Sequence, residues 1–118
     1  MPSDCTKWMR RLFAPPADIG AWRPLADVYR TPGGWLVKCE LAGVRPDDLT
    51  LAVRGSCLIL AGTRRDWCLE EGCSHYRLEI SYSHFERTIE LPENLERARV
   101  ATEFRHGMLL VRIEREAP

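Results

Sequence analysis

The sequence predicts an all-β protein, a single antiparallel sandwich that follows a short N-terminal arm. From Leu25 onward, apolar and polar residues alternate with a period of two, and clusters of Gly, Pro, Asn and Asp interrupt the alternation at short intervals. No stretch of useful length beyond Leu25 shows the spacing of an amphipathic helix. With 118 residues, the chain has the length of one such domain, which we place at residues 25–115, followed by a tail at 116–118.

Residues 1–24 form the arm, in which three prolines prevent a long helix. Its large apolar side chains are Trp8, Met9, Leu12, Phe13 and Trp22. The first four form two pairs at a spacing of four residues, which allows a short amphipathic helical segment. Such a segment either packs on its own domain or meets partners. We favour contact with partners, because so few residues cannot bury an apolar face alone. For Trp22, the alternative is that it covers one end of the sandwich.

Each strand is predicted from an apolar set that lies between two turn signals. The apolar sets, in chain order, are Trp35, Val37, Cys39 and Leu41; Leu49, Leu51 and Val53; the run 57–62; Phe85, Ile89 and Leu91; Val100, Thr102 and Phe104; and Leu109, Val111 and Ile113. The turn signals lie at 32–34, 45–48, 55–56, 92–94 and 106–107. We therefore expect short strands joined by tight turns, except for one long connection from Arg64 to His84.

Composition and charge exclude several classes of partner. Lys and Arg together number 17, as do Asp and Glu, so the net charge is zero and no electrostatic footprint for nucleic acid or an anionic membrane is expected. No apolar run approaches the length that spans a bilayer, and the N-terminus lacks the pattern of a signal peptide. We therefore expect a cytoplasmic protein.

The five cysteines are an odd number, which does not form a complete disulfide framework. In a reducing cytosol we expect most of them to be thiols. Cys68, Cys73 and His75 could suggest zinc, but the spacing is wider than in the usual fingers and no second close pair follows. A redox-sensitive pair of surface thiols is the favoured interpretation for Cys68 and Cys73, and no metal or cofactor is expected.

Four motifs, in this order, resemble those of the small heat-shock protein (α-crystallin) family, bacterial type, over residues 25–113. Residues 41–49 resemble the turn L-P-G-V-x-P-E-D-I, with Ala42 in place of proline, and residues 57–62 resemble the strand V-L-x-I-x-G. Residues 76–92 follow Y-x-x-E-x-S-Y-G-x-F-x-R-x-F-x-L-P, and 100–109 resemble V-x-A-x-x-x-N-G-V-L. The resemblance implies an immunoglobulin-like sandwich, the α-crystallin domain, whose long loop carries a dimerisation strand.

The chain departs from the family pattern at a few positions. Thr102 replaces alanine, Ser83 replaces glycine, and His106 replaces the asparagine that better suits a turn with positive φ. Members of the family usually carry a C-terminal anchor, an isoleucine followed two residues later by isoleucine or valine. Residues 114–118 contain no such anchor, so the tail is interpreted as truncated and small assemblies are expected.

The resemblance implies an ATP-independent chaperone, a holdase that binds partly unfolded client proteins and prevents their aggregation, rather than an enzyme. The chain contains no G-x-x-x-x-G-K-[ST] phosphate loop. Expected partners are non-native proteins and a second copy of the chain, in a homodimer or a larger homo- or hetero-oligomer. One alternative is an adaptor of the same fold that docks on a larger chaperone or co-assembles with other small heat-shock proteins. Another is an enzyme whose reactive cluster is drawn from Cys68, Cys73, His75, His84 and His106.

The resemblance also implies two surfaces in the sandwich, besides the client or oligomer contacts of the arm. One is a groove between edge strands, formed by Leu49, Leu51, Val53, Val100 and Thr102. The other is a dimer interface, formed by Asp27, Val28, Tyr29, Arg30, Tyr76, Arg77, Leu78, Glu79, Ile80 and Arg87. Residues 76–80 alternate and would pair as a strand with residues 27–30 of the partner. Arg87 has the phase of its buried neighbours, so we expect an ion pair with an acidic residue.

Overall fold

The computed structural model describes residues 22–67 and 70–116, and within them it confirms the predicted antiparallel β-sandwich. The strands are β1 (Ala26–Thr31), β2 (Gly34–Glu40), β3 (Leu49–Arg54), β4 (Cys57–Thr63), β5 (His84–Glu90), β6 (Arg99–Arg105) and β7 (Met108–Glu114). A 3₁₀ turn at Pro46–Asp48 leads into β3. One sheet has four strands in the order β1-β2-β7-β6, and the other has three in the order β3-β4-β5.

The core lies between the two sheets and follows the predicted alternation. In β2, Trp35, Val37 and Cys39 are buried and face the core, while the residues between them are more exposed. The remaining buried members of the core cluster are Leu41, Val44, Leu58, Leu60, Phe85, Ile89, Leu91, Leu95, Leu109, Val111 and Ile113. Since the alternate residues of neighbouring strands point to the same face, each sheet contributes one apolar layer.

A tight turn and a close backbone contact position the strands that border the candidate site. The turn between β6 and β7 contains His106 at φ 53° and Gly107 at φ 76°, so the left-handed conformation expected there is present. Gly62 in β4 lies against the Asp48 carbonyl oxygen, and a Cβ at this position would also come within 2.8 Å of the Phe85 ring. The close approach fixes the start of β3 against the end of β4.

Contacts made by the residues before β1 determine which edges of the two sheets lie together. The Trp22 ring packs edge-on against Phe85 of β5, with 5.1 Å between ring centroids. Arg87 of β5 donates from Nη1 to the Pro24 carbonyl at 2.6 Å. Edge strand β5 therefore lies on the β1 side of the sandwich, which leaves edge strands β3 and β6 together on the opposite side.

Among the described residues, no helix has the length and hydropathy needed to cross a membrane.

Candidate functional site

The candidate site is the open side of the sandwich between β3 and β6, which we call the β3–β6 groove. In β3, Leu49, Leu51 and Val53 pair with core-facing or core-lining positions of β4, so their side chains point between the sheets. Val100, Thr102 and Phe104 of β6 pair with Ile113, Val111 and Leu109 of β7, which are core residues. The inward-facing residues of both edge strands therefore line one cleft.

The groove is apolar and only partly covered. Leu49, Leu51 and Val53 are half-buried and pack against the core cluster. On the β6 side, Val100 and Phe104 expose 39% and 36% of their surface, which is unusual for residues with the phase of a core strand. All five residues of the predicted groove thus lie on the inward face of their strands, and their role in binding stays a prediction.

Phe104 is a groove residue that the sequence-based assignment missed. It shares the alternation phase of Val100 and Thr102, and this phase was visible in the sequence. Its partly exposed ring adds an aromatic side chain to the β6 side of the groove.

The second candidate surface is the free edge of β1. Within the described residues this strand pairs only with β2, so its outer backbone groups have no strand beside them. Val28 and Tyr29 expose 43% and 45% of their surface. Asp27 lies 3.9 Å from Lys38 Nζ and accepts a hydrogen bond from the Tyr29 hydroxyl at 3.4 Å. An exposed strand edge of this kind can accept a strand from another chain.

The loop that joins β4 to β5 is anchored at its stem and exposed further along. Arg64 donates to the Ser81 carbonyl at 2.8 Å, and Trp67 donates to the Gly43 carbonyl at 3.0 Å. Arg65 donates to both carboxylate oxygens of Asp48 at 3.1 Å. The Arg45 guanidinium lies 4.0 Å from the centroid of the Trp67 ring. The stem is therefore held against the start of β3 and the turn before it.

Residues 76–80, proposed as a pairing strand, are irregular and exposed in the single chain. Tyr76 exposes 99% of its surface, Leu78 58% and Ile80 60%. A strand needs a neighbour that satisfies its amides and carbonyls, and no described strand of the same chain lies beside this segment. The expected strand is therefore absent from the single chain, and its pairing with a second chain stays a prediction.

Arg87 is partly buried, as its alternation phase predicted, but its contacts differ from the expected ones. Its Nη1 donates to the Pro24 carbonyl, and its Nε is buried with no hydrogen-bond acceptor among the described residues. Burial lowers the pKa of Arg87, Arg23 lowers it further, and Cys39 raises it. No carboxylate of residues 22–67 or 70–116 forms an ion pair with it, so an ion pair with a second chain stays a prediction.

Of the arm residues assigned to partner contacts, only Trp22 falls within the described residues. Its ring packs on Phe85, its backbone amide donates to the Ser83 hydroxyl at 3.2 Å, and the Arg64 guanidinium lies 3.7 Å from its ring centroid. These contacts support the alternative interpretation, in which Trp22 covers one end of the sandwich. Trp8, Met9, Leu12 and Phe13 lie outside the described residues.

Comparison with protein families decides the relationship that the motifs indicated. Residues 27–118 match the model of the Hsp20/alpha crystallin family, which is more than half of the chain. The chain belongs to the Hsp20/alpha crystallin family.

Individual members of the family show the same relationship at low sequence identity. The chain is 25% identical over 93 residues to small heat shock protein C2 of Rickettsia felis, covering 79% of this chain and 60% of the relative. It is 30% identical over 94 residues to a 17.8 kDa class II heat shock protein of Zea mays, covering 79% of this chain and 57% of the relative. The chain thus matches less than two thirds of each relative's length.

Solved structures of the family share the fold. Heat shock protein 16.0 from Schizosaccharomyces pombe superimposes with a TM-score of 0.70 at 24% identity, covering 80% of this chain and 88% of that one. HspA from Xanthomonas axonopodis gives a TM-score of 0.64 at 23% identity, covering 80% and 95%. The sandwich described here is therefore the α-crystallin domain.

For this Hsp20 family member, the residues considered for a reactive or metal cluster have separate partners. His84 Nδ1 lies 2.6 Å from the Thr63 hydroxyl, and His75 Nε2 lies 3.2 Å from Asp66. His106 occupies the turn between β6 and β7. Cys68 lies outside the described residues, so its predicted pairing with Cys73 stays a prediction.

The described cysteines differ from the expectation that most are thiols. Cys39 is free and buried in the core, and burial raises its pKa to about 11, although Arg87 lowers it. A thiol with so high a pKa is protonated at neutral pH and unreactive. Cys57 and Cys73 are each disulfide-bonded. The expectation is therefore wrong for two of the three described cysteines.

Proposed function

We propose that this chain is an ATP-independent holdase, which binds partly unfolded proteins and prevents their aggregation. Family membership supports a chaperone role, and the half-exposed apolar β3–β6 groove is the single observation that carries the proposal. Non-native proteins expose apolar segments and unpaired strand edges, which are the chemical groups that such a groove can cover.

The groove suits an extended apolar segment better than a folded surface. Its two sides are the edge strands β3 and β6, which have no further strand beside them among the described residues. Val100 and Phe104 on one side and Leu51 on the other offer apolar contact along the cleft. Burial contributes about 25 cal/mol per Å² of apolar surface, so a short segment gains a modest affinity that tolerates many sequences.

The functional unit in this proposal is a homodimer, with larger homo- or hetero-oligomers built from it. The exposed edge of β1, at Asp27, Val28, Tyr29 and Arg30, would pair with residues 76–80 of a second subunit. The alternating apolar side chains Tyr76, Leu78 and Ile80 are exposed and available for such a contact. Arg77 and Glu79 would take the opposite face. The buried Nε of Arg87 offers a donor to a carboxylate of the second subunit.

The arm residues Trp8, Met9, Leu12 and Phe13 remain a proposed second contact for clients or other subunits. We also propose a cytoplasmic location, although disulfide bonds such as those of Cys57 and Cys73 are rare in that compartment.

The test heats an aggregation-prone model protein with this chain, without nucleotide, and follows light scattering against the mixing ratio. We expect suppression at near-stoichiometric ratios. Val100→Asp should weaken suppression because it places a charge in the apolar groove. Ala101→Asp is the matched control: Ala101 is exposed on the neighbouring position of the same strand and pairs with Arg112, outside the groove.

Two outcomes would contradict the proposal. A folded, soluble wild-type chain that gives no suppression would favour the adaptor interpretation, in which the domain docks on a larger chaperone. Equal suppression by Val100→Asp and Ala101→Asp would remove the groove from the mechanism while leaving the holdase activity in place.

A further inference from the structure

The turn that leads into β3 is exposed and has little packing of its own. Of residues 42–48, only Val44 is buried. Within the turn, Val44 N donates to the Leu41 carbonyl at 3.1 Å and Asp48 N donates to the Arg45 carbonyl at 2.9 Å. The strand that follows is an edge strand, which pairs only with β4 among the described residues. Such a segment opens easily unless other residues hold it.

Trp67, in the first limb of the β4–β5 loop, holds the beginning of this turn. Its Nε1 donates to the Gly43 carbonyl at 3.0 Å, and the Arg45 guanidinium lies 4.0 Å from its ring centroid. The indole exposes 39% of its surface and lies outside the core cluster. Its contacts therefore tie the loop to the turn.

Arg65 holds the end of the same turn. Its Nε donates to both carboxylate oxygens of Asp48 at 3.1 Å, and the Asp48 side chain exposes only 16% of its surface. An ion pair between fully exposed side chains contributes little, whereas one with a well-covered partner and fixed geometry contributes more. We call Arg65, Trp67 and the turn residues that they contact, Gly43, Arg45 and Asp48, the clasp.

The base of the loop is fixed by contacts outside the clasp. Arg64 Nε donates to the Ser81 carbonyl at 2.8 Å, and its backbone amide donates to the Ser83 carbonyl at 2.9 Å. The Arg64 guanidinium also lies 3.7 Å from the ring centroid of Trp22. These contacts join the two limbs of the loop to each other and to the end of the sandwich. Because the base is fixed, the residues that follow Arg64 are placed against the turn.

Asp48 connects the clasp to the β3–β6 groove. It directly precedes Leu49, the first groove residue of β3, and Leu49 pairs with Gly62 of β4. Gly62 has no side chain that could pack beside Leu49 across the pair, and a Cβ there would collide with the Asp48 carbonyl oxygen. The position of Leu49 therefore depends on Asp48 lying against Gly62, and Arg65 holds Asp48 in this place.

We propose that Arg65 and Trp67 are positioning residues, which fix the Leu49 end of the groove by holding the turn before it. Release of the clasp frees Leu49 to move away from β6, so the groove loses its shape at that end. The inference rests on the proposed function, because it takes the groove as the client site. It also has a consequence for deletions: removing residues 67–80 removes part of the clasp together with the proposed pairing segment.

The first experiment measures hydrogen–deuterium exchange of the full-length chain by mass spectrometry, in peptides that cover residues 46–53 and 99–114. Trp67→Ala and Arg65→Gln should each speed exchange in 46–53 on the order of fivefold, because the turn opens more often, and leave 99–114 unchanged. Arg65→Lys, which keeps the charge, should give a smaller increase. Tyr82→Ala is the matched control, since Tyr82 is an aromatic residue of the same loop with a similar exposed fraction, 38%.

Two patterns of exchange would overturn the proposal. If the clasp served only to fold the loop, the variants would speed exchange within the loop and leave residues 46–53 at the wild-type rate. If the variants reduced the stability of the whole domain, exchange would rise equally in 46–53 and 99–114.

The second experiment repeats the light-scattering test with Arg65→Gln, Asp48→Asn and the double variant. Each single variant should need about threefold more chain for half suppression, and the double variant no more than that, because all three break the same ion pair. Unchanged suppression, or effects that multiply in the double variant, would overturn the proposal. A wild-type chain without any suppression would contradict the holdase function instead, and the exchange rates would still decide whether the clasp positions β3.

Discussion

His106 illustrates how a single residue can carry backbone strain in an otherwise regular hairpin. Its φ of 53° lies in the left-handed region, and it is the one non-glycine residue with a positive φ among those described. The left-handed conformation costs an ordinary residue about 1–2 kcal/mol, whereas asparagine and glycine adopt it more readily. The family pattern places asparagine at this position, so the turn retains the family's backbone with a less suitable side chain.

Replacing His106 by asparagine should therefore stabilise the domain. We expect His106→Asn to raise the free energy of unfolding by about 0.5 kcal/mol, measured by urea denaturation. His106→Val, a β-branched residue at the same φ, should lower it by about 1 kcal/mol. A stabilisation by valine equal to that by asparagine would rule out backbone strain as the cause.

Glu93 connects Arg115, which directly follows β7, to the core residue Trp35. Arg115 donates to both of its carboxylate oxygens at 2.9 and 2.8 Å, and Trp35 Nε1 donates to Oε1 at 2.7 Å. The hydrogen bonds from Arg115, and then that from Trp35, lower the pKa of the Glu93 carboxyl below its usual range. The charged form of Glu93 is thus favoured in the folded state.

This lowered pKa predicts how stability responds to acid. The unfolded chain takes up the Glu93 proton at a higher pH than the folded chain does. The contribution of Glu93 is therefore complete above the ordinary carboxyl pKa and is lost as the pH falls through the lowered value. Glu93→Gln should reduce stability at pH 7 and flatten its decline at acid pH, measured by thermal melts from pH 7 to 3. Glu71→Gln, at an exposed loop position, should leave the profile unchanged.

At the scale of one element, the loop between β4 and β5 combines a fixed stem with an exposed segment. Arg64, Arg65 and Trp67 hold the stem through named backbone and carboxylate partners. Residues 76–80 then expose side chains on both of the alternating faces. An exposed apolar row that none of the described residues covers is typical of an interaction site.

The alternation predicts which face of this segment joins two subunits. The double substitution Leu78→Ser and Ile80→Ser should convert the proposed dimer to monomer without lowering the secondary-structure signal, because both side chains are exposed in the single chain. Arg77→Ser with Glu79→Ser alters the opposite face of the same proposed strand and should weaken the dimer less. Analytical ultracentrifugation distinguishes the two, and a dimer that survives the first pair would contradict the strand-pairing proposal.

At the scale of the whole molecule, the described sandwich is bordered by edge strands: β1 and β6 in one sheet, β3 and β5 in the other. Open edges are sites where another chain can add a strand. The net charge of zero adds little long-range repulsion between copies. The molecule therefore combines several apolar or strand-edge surfaces with no electrostatic barrier to association.

Association through these edges should make stability depend on concentration. Only folded chains can pair their strands into a dimer. A higher protein concentration therefore favours the folded state by mass action and raises Tm. We expect a steady rise over a hundredfold range in differential scanning fluorimetry, and a constant Tm for the Leu78→Ser, Ile80→Ser variant. A constant Tm for the wild type would indicate that the monomer is the cooperative unit.

Local pattern alone predicted the sandwich, strands β2 to β7 and the turns, since side-chain alternation in a strand reflects directly which face is buried. Strand β1 was expected only from the family resemblance, and the alternating residues 76–80 are irregular in the single chain. Local pattern also determined the inward direction of Leu51 and Val100 in the groove. Tertiary structure decided which edges lie side by side, because Trp22 and Arg87 reach across to the opposite sheet over long sequence separations. It likewise decided that Arg87 meets the Pro24 carbonyl rather than a carboxylate of the described chain. Alternation tells which face a residue occupies, whereas its polar partner depends on how two sheets are packed.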